Sequence, residues 1–351
     1  MKIFRQPHFI ENQIIAASEK MKNCVFLGIL LFLFLSLGSC KKKPKDKWND
    51  TLTTGIINIA CDESFKNLMD AEIDAFQAHN NYQAIINPIY VGEKEVIRLL
   101  MADSVRFALT ARGLTVNEKK DVKDKQMFVR EFLLAFDGIA LITNKANPDS
   151  LISLPTIKKI LRGEITKWSQ INPKSSLDTI RVIFDSNKSG ILQYVADSII
   201  KGNASSPYLY AKNNSNELFQ QVCEQPNCIG IVGFSVLSDD QWKTSDLQGK
   251  LRIMRVSKDE NPTLQNTYLP YPGDIKNEDY PLWRTIYALL SDPKSGLSSG
   301  FSIFLAHDVG QMVILKSGLL PAVSDPQNRA VNIVDSYPDE KKENQNDKKI
   351  K

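Results

Sequence analysis

The sequence predicts an α/β protein with parallel and mixed sheets, helices on both faces, and two lobes joined by strand crossovers. Three observations carry this. Short β-branched runs alternate with amphipathic segments through most of the 351 residues, the pattern of βαβ units and a parallel sheet. The alternating region runs from about 52 to 334, more than one hydrophobic core comfortably serves, so two lobes are expected. Midway, two strand-like runs follow each other with little helix between them, where the chain would cross from one lobe to the other.

Residues 56–60 (IINIA) read as a strand. Residues 64–78 follow as a helix, with Phe65, Leu68, Met69, Ile73 and Phe76 at helical spacing, a core-facing stripe. A second strand at 84–90, a second helix at 94–101 and a third strand at 107–110 complete a βαβαβ unit. Residues 128–136 and 138–144 (GIALITN) are the two crossover strands. The second lobe would hold a helix at 155–161, a strand at 180–184, a helix at 192–201 and a strand at 229–233. The chain would cross back near 268–273 and close with an apolar element at 282–290 and helices near 298–306 and 309–317. The lobes expected are 52–136 with 268–334, and 137–267. No internal repeat is visible.

The N-terminal region reads as an export signal. Met21-Lys22 precede an apolar run, 25–37 (VFLGILLFLFLSL), that ends in Leu37-Gly38-Ser39-Cys40. A basic start, an apolar middle and small residues at the cut are the three parts of a secretory signal. The run is shorter than the roughly 20 residues a spanning helix needs, although an uncleaved membrane helix is the competing reading. The last four residues resemble a bacterial lipobox, with Cys40 as the lipidated first residue of the mature chain. Residues 1–39 are therefore assigned to the signal, 1–20 reading as an upstream extension of a start at Met21. Residues 40–51, rich in lysine, form a solvated tether. Residues 335–351 are a charged tail without apolar periodicity, expected to be disordered.

Composition narrows the function. The formal charge is only +4 and the tether accounts for most of it, which argues against a nucleic-acid partner. With Cys24 and Cys40 assigned, Cys61, Cys223 and Cys228 remain. Cys223 and Cys228 are close enough to form a disulfide in an oxidising compartment. The three histidines are far apart, so neither a metal nor another cofactor is expected. There is no Gly-x-Gly-x-x-Gly, phosphate-binding Walker loop, nucleophile elbow or His-Glu-x-x-His, and no enzyme is predicted.

Two lobes joined by crossovers enclose a cleft, and α/β folds bind ligands beyond the carboxyl ends of their strands. Three places meet that geometry. Asp62-Glu63-Ser64 lies between the first strand and its helix, where Ser64 reads as an N-cap and the helix terminus favours an anion. Thr110-Ala111-Arg112 ends the third strand, and a guanidinium there can grip an oxyanion through two N–H groups. Asp185-Ser186-Asn187-Lys188-Ser189-Gly190, between a strand and a helix, can form a backbone nest. Each also has a plainer reading, as a cap, a surface ion pair or a polar loop; together they point to one oxyanion cleft.

At residues 161–168 (LRGEITKW), 226–233 (PNCIGIVG), 280–290 (YPLWRTIYALL) and 304–321, with Gly310-Gln311 and Gly318 in the last block, the chain resembles the substrate-binding proteins of phosphate ABC transporters. This is the PstS-like family of the type II periplasmic-binding-protein-like fold, known in lipid-anchored form. The blocks stand in the family's order and span nearly all of 55–322. The resemblance implies a monomer that captures inorganic phosphate or a similar oxyanion for ABC permease subunits. It would be held to the membrane through its lipid anchor, facing the periplasm. Carried over by position, the anion site falls on Glu63, Ser64, Arg112, Asp185, Ser189 and Gly190, with Asp185 or Glu63 accepting the ligand's proton.

The chain departs from the family at Ile191, which removes a hydroxyl. Glu93 stands in Gly92-Glu93-Lys94 where a serine is usual, and Asp185 where an arginine is common. Several carboxylates repel a dianion, so other ligands stay open: another oxyanion, an organic phosphate, or none at all in an envelope sensor or scaffold with a degenerate pocket.

Overall fold

The computed structural model describes residues 50–185, 190–201, 206–238, 246–247 and 249–322. The signal, Cys40, most of the basic tether, Ser189 and the charged tail lie outside the described residues.

An opening βαβαβ unit consists of β1 (Gly55–Asp62), α1 (Lys66–His79), β2 (Ala84–Val91), α2 (Glu93–Met101) and β3 (Phe107–Thr110). There follow α3 (Val116–Asp124), the long β4 (Arg130–Asn144), β5 (Leu151–Ser153), α4 (Leu154–Leu161) and β6 (Arg181–Phe184). Next come α5 (Gly190–Tyr194), β7 (Leu209–Ala211), α6 (Ser215–Glu224), β8 (Cys228–Gly233) and α7 (Phe234–Leu237). After β9 (Leu251–Ile253), β10 (Arg255–Ser257) and α8 (Pro272–Lys276), the chain closes with β11 (Trp283–Leu290), α9 (Leu297–Ala306), α10 (Asp308–Lys316) and β12 (Leu320–Pro321).

The strands order as β2-β1-β3-β11-β4-β8-β6-β7, with β9 and β12 also on β4. β1 runs parallel to β2 and β3, as the βαβαβ pattern requires, while β11 is antiparallel to β3 and β4. The sheet is therefore mixed. β1 alternates through Ile56, exposed, and Ile57, buried, then becomes buried throughout from Ile59 to Asp62. That change of pattern marks where the strand end dives under its neighbours.

Among the described residues, the two larger of four bodies of core on this sheet frame the site. One gathers Ile57, Phe65, Phe76, Phe107 and Phe301, with Phe76 and Phe107 each meeting the Phe301 ring edge-on at 5.2 Å. The other gathers Ile139, Trp168, Phe184, Tyr280 and Leu282. Burying each such side chain contributes roughly 1.5–3 kcal/mol, and both bodies are dense with them.

β4 links the bodies. The sequence suggests two strands, 128–136 and 138–144; the structure has one continuous strand of 15 residues. Its first half pairs with β11, and its second half with β8. Asp137 and Gly138 interrupt the apolar pattern without breaking the strand. Asp137 is fully buried against Arg284. A Cβ at Gly138 would stand 2.7 Å from Pro270 Cβ and 2.8 Å from its carbonyl oxygen, so only glycine fits. Alongside, Ile139 N–H donates to the Leu282 carbonyl at 2.8 Å and the Tyr280 hydroxyl donates to the Ile139 carbonyl at 2.6 Å. The segment entering β11 thus runs bonded to β4 where the chain passes between the cores.

Two local expectations are corrected. The helix expected at 192–201 begins as α5 but widens to a π-helix over Val195–Ile200, ending at Lys201 in the left-handed region, φ 54°. Cys223 and Cys228 are free thiols, not a disulfide: the Cys228 Sγ turns to Gln225 Oε1 at 3.5 Å, and both pack into one further apolar cluster, Cys228 as a buried member and Cys223 partly buried against it. Among the described residues no helix is long and apolar enough to cross a membrane.

Candidate functional site

The end of β1 sets the first wall. Asp62 is fully buried, and its Oδ1 accepts both the Ser64 amide at 2.9 Å and the Ser64 hydroxyl at 2.8 Å. The N-cap of the short turn after β1 is therefore Asp62, not Ser64 as the sequence suggests. Aspartate is as good a cap as serine, and here it also takes the serine's own hydroxyl proton. Asp62 Oδ2 is buried with no hydrogen-bond partner. Burial raises the Asp62 carboxyl pKa, and the positive charge of Arg284 pulls the other way.

Arg284, at the start of β11, forms the floor. It is 2% exposed, with Nε and Nη2 on Asp137 Oδ2 at 3.0 and 2.9 Å. Its guanidinium lies 4.2 Å from the centre of the Phe65 ring, an attraction strengthened by the absence of water. The Asp137 carboxyl is pushed up by burial, against the opposing pull of Arg284; its Oδ1 accepts the Phe234 amide at 3.2 Å. One nitrogen of the fork remains: Arg284 Nη1 is buried and unpartnered.

Gly190, the first residue of α5, stands over both loose ends. A Cβ there would lie 2.5 Å from Asp62 Oδ2 and 3.2 Å from Arg284 Nη1. An acceptor and a donor, both stripped of water and both unmatched, thus meet beside one glycine. Such atoms cost about 1–3 kcal/mol each until something satisfies them.

A second cluster lies at the end of β3. Arg112 Nε donates to Glu93 Oε1 at 2.8 Å, and its Nη1 and Nη2 donate to Glu118 at 2.8 and 3.0 Å. Glu93 Oε2 also accepts the Ala111 amide at 3.2 Å. Glu118 belongs to a capping box with Thr115 at the start of α3. Burial alone would raise Glu118, but hydrogen bonds from Arg112 and Thr115 hold it at about 2. Glu93 is raised by burial, with Arg112 opposing. Arg112 is therefore engaged by carboxylates rather than waiting for a ligand.

Two adjoining cavities lie beside these groups, with Glu93 and Gly190 on the lining of both. One, of about 630 Å³, is lined by Glu63, Gly92, Glu93, Lys94, Gly190 and Gln193 among others. The other, of about 460 Å³, is lined by Glu93, Ala111, Arg112, Gly190, Tyr194 and Arg284 among others. Of the residues the sequence nominates, Glu63, Arg112 and Gly190 border these spaces. Ser64 is half-buried and bonded to Asp62, on the lining of neither cavity. Asp185 is buried at the end of β6, and Ser189 lies outside the described residues. Sequence reasoning passed over Asp137 and Arg284, and it nominated Asp62 only as part of a loop. Arg284 carried a signal: a lone charge inside the apolar run YPLWRTIYALL.

Comparison with known proteins follows the same line. A family profile described as a PBP superfamily domain matches residues 49–309. The phosphate-binding protein PstS of Staphylococcus saprophyticus is 25% identical over 209 residues, which cover 58% of this chain and 60% of that protein. Protein SphX of Synechococcus elongatus is 24% identical over 215 residues, covering 59% and 60%. The chain thus spans about 60% of the length of these two relatives. A Clostridium perfringens protein solved with bound phosphate superposes with a TM-score of 0.61 at 23% identity, over 76% of this chain and 99% of that one. An ABC-type phosphate transport receptor from Vibrio cholerae gives 0.58 at 21% identity, over 76% and 100%. These superpositions carry the two-lobe fold.

Proposed function

The chain belongs to the PBP superfamily, and on that premise we propose that it is a solute-binding protein that captures inorganic phosphate and delivers it to an ABC permease without covalent chemistry. The observation that carries this reading is the unmatched pair beside Gly190: Asp62 Oδ2, which accepts when the carboxyl is ionised, and Arg284 Nη1, which can only donate. Hydrogen phosphate offers both complements, an O–H for the carboxylate and a charged oxygen for the guanidinium. Sulfate, with no proton at neutral pH, would leave Asp62 facing a like charge, and a buried mismatch of that kind rejects a ligand strongly. The proton acceptor is then Asp62, in place of the Asp185 or Glu63 that the sequence suggests.

The lipobox-like Leu37-Gly38-Ser39-Cys40 and the lysines after it support a lipid-anchored protein facing the periplasm, with the binding lobes on a basic tether. The lobes would open and close about β4 and the entry to β11, a hinge built of few connections. Phosphate homologues among the relatives favour the same ion. Isothermal titration with phosphate, sulfate and molybdate tests the reading. Phosphate should bind and sulfate should not; silence with phosphate near neutral pH would overturn it.

A further inference from the structure

The second cluster is complete without any ligand, and that gives it a role of its own. We propose that the Glu93 carboxylate is a built-in occupant of part of the anion site, and that an incoming oxyanion must displace it. The inference rests on the phosphate reading above and names what tunes it.

The donors that Glu93 occupies are a backbone amide, Ala111 N–H, and a guanidinium N–H, Arg112 Nε. Both stand at the carboxyl end of β3, and this is the donor set that an oxyanion takes. Glu93 itself is 7% exposed. It borders both cavities, as does Gly190, beside which the unmatched Asp62 and Arg284 atoms lie. The internal anion and the space for an external one are therefore contiguous. With Glu118 on its other nitrogens, Arg112 serves two carboxylates, so the cluster is net negative while Glu93 is ionised. A phosphate dianion meets repulsion there until Glu93 takes a proton, and the neutral side chain can then turn into one of the cavities. Its departure releases the Ala111 amide and Arg112 Nε to the ligand.

The surroundings of Glu93 set the direction of the pH response. Asp62 and Glu63 face it from the end of β1, Tyr90 from β2, and Arg112 from β3, while Lys94 and Glu95 flank it on α2. Across the cavities stand Tyr194 at the end of α5, Asp197 in the π-helix that follows, and Arg284 on β11. Burial and the Asp62 charge raise the Glu93 carboxyl while Arg112 lowers it, and the net shift is upward. Protonation of Glu93 on lowering the pH therefore assists binding, and phosphate binding by the native protein takes up a proton.

Titration of the full chain and of Glu93→Ser and Glu93→Gln with inorganic phosphate, at about pH 5.5 and about pH 8, tests this. At the higher pH Glu93→Ser should bind about tenfold more tightly than the native chain, equivalent to a gain of about 1.4 kcal/mol. Glu93→Gln, which keeps the shape and loses the charge, should also gain. Both variants should lose the proton uptake that titration in buffers of different ionisation enthalpy detects in the native chain. A purely structural Glu93 would not move that uptake. Native binding with no gain in either variant would overturn this inference alone. No phosphate binding by any of the three chains at either pH would overturn the phosphate reading, and this inference with it.

Discussion

The two arginines of the site are held in opposite ways. Arg284 is buried, anchored by one carboxylate through two of its nitrogens, and left with Nη1 unmatched. Arg112 is about one-third exposed and carries a carboxylate on each side. The deep arginine keeps one donor unmatched; the outer one spends its donors on two carboxylates. On the phosphate reading the first would hold the ligand and the second would filter what reaches it. Judged by charge alone the two would have been interchangeable, and only their hydrogen-bond accounts separate them.

The largest break in that comparison is Arg284→Met. It removes the ligand's donor and strands Asp137 in the interior, so phosphate binding should vanish and stability should fall by about 3–5 kcal/mol. Chemical denaturation and titration read the two losses. Adding Asp137→Asn to Arg284→Met should recover much of the stability and none of the binding, which separates the fold's use of the pair from the ligand's.

Asp62→Asn comes next. The amide can no longer accept through both oxygens, and it presents N–H groups toward the ligand. Phosphate affinity should fall roughly a hundredfold, as when a buried hydrogen-bond partner is lost, and the preference over sulfate should shrink in competition titration. Gly190→Ala places a methyl against Asp62 Oδ2 and Arg284 Nη1. It should weaken phosphate binding by about tenfold or more with little change in far-ultraviolet circular dichroism. Arg112→Ala should cost less affinity than any of these, because what Arg112 Nε gives the ligand is largely offset by giving up Glu93, while Glu118 keeps its other nitrogens; a loss as large as that from Arg284→Met would erase the distinction between the two arginines.

The smallest effect lies outside the site. Glu72 is buried on α1 with both oxygens unpartnered, and burial pushes its carboxyl up to about 9. The folded carboxyl keeps its proton at pH values where the unfolded chain, with a value near 4.5, has lost it. Its favourable contribution is therefore fully present below the unfolded value and fades as the pH rises toward the folded one. Glu72→Leu should raise stability by about 1–3 kcal/mol near pH 8, and by less near pH 5, in parallel thermal melts.

How far these features were legible depended on the reach of the interactions behind them. α1 and α2 follow from local periodicity, because each buries one face, and β1, β2 and β3 from short apolar, β-branched runs between them. The helix at Val116–Asp124 has no buried residue and no apolar stripe, so periodicity missed it; its signal was the Thr115-x-x-Glu118 capping box. β4 read as two strands because Asp137 looked like a break. Its partner, Arg284, lies 147 residues away in sequence, and nothing local announces it. Arg112 was nominated as a site cation, and Glu93 and Glu118, which neutralise it, converge on it only in the fold. The anion loops were thus readable as places, while the assignment of each atom to ligand or to protein required the three-dimensional arrangement.

On the phosphate reading, Asp62 Oδ2 and Arg284 Nη1 are the two ends of one ligand site. A crystal structure of the protein with inorganic phosphate is the decisive test. The expected result is a phosphate beside Gly190, one oxygen within hydrogen-bond distance of Asp62 Oδ2 and another within reach of Arg284 Nη1. A phosphate bound elsewhere, with those two atoms still unmatched, would contradict it.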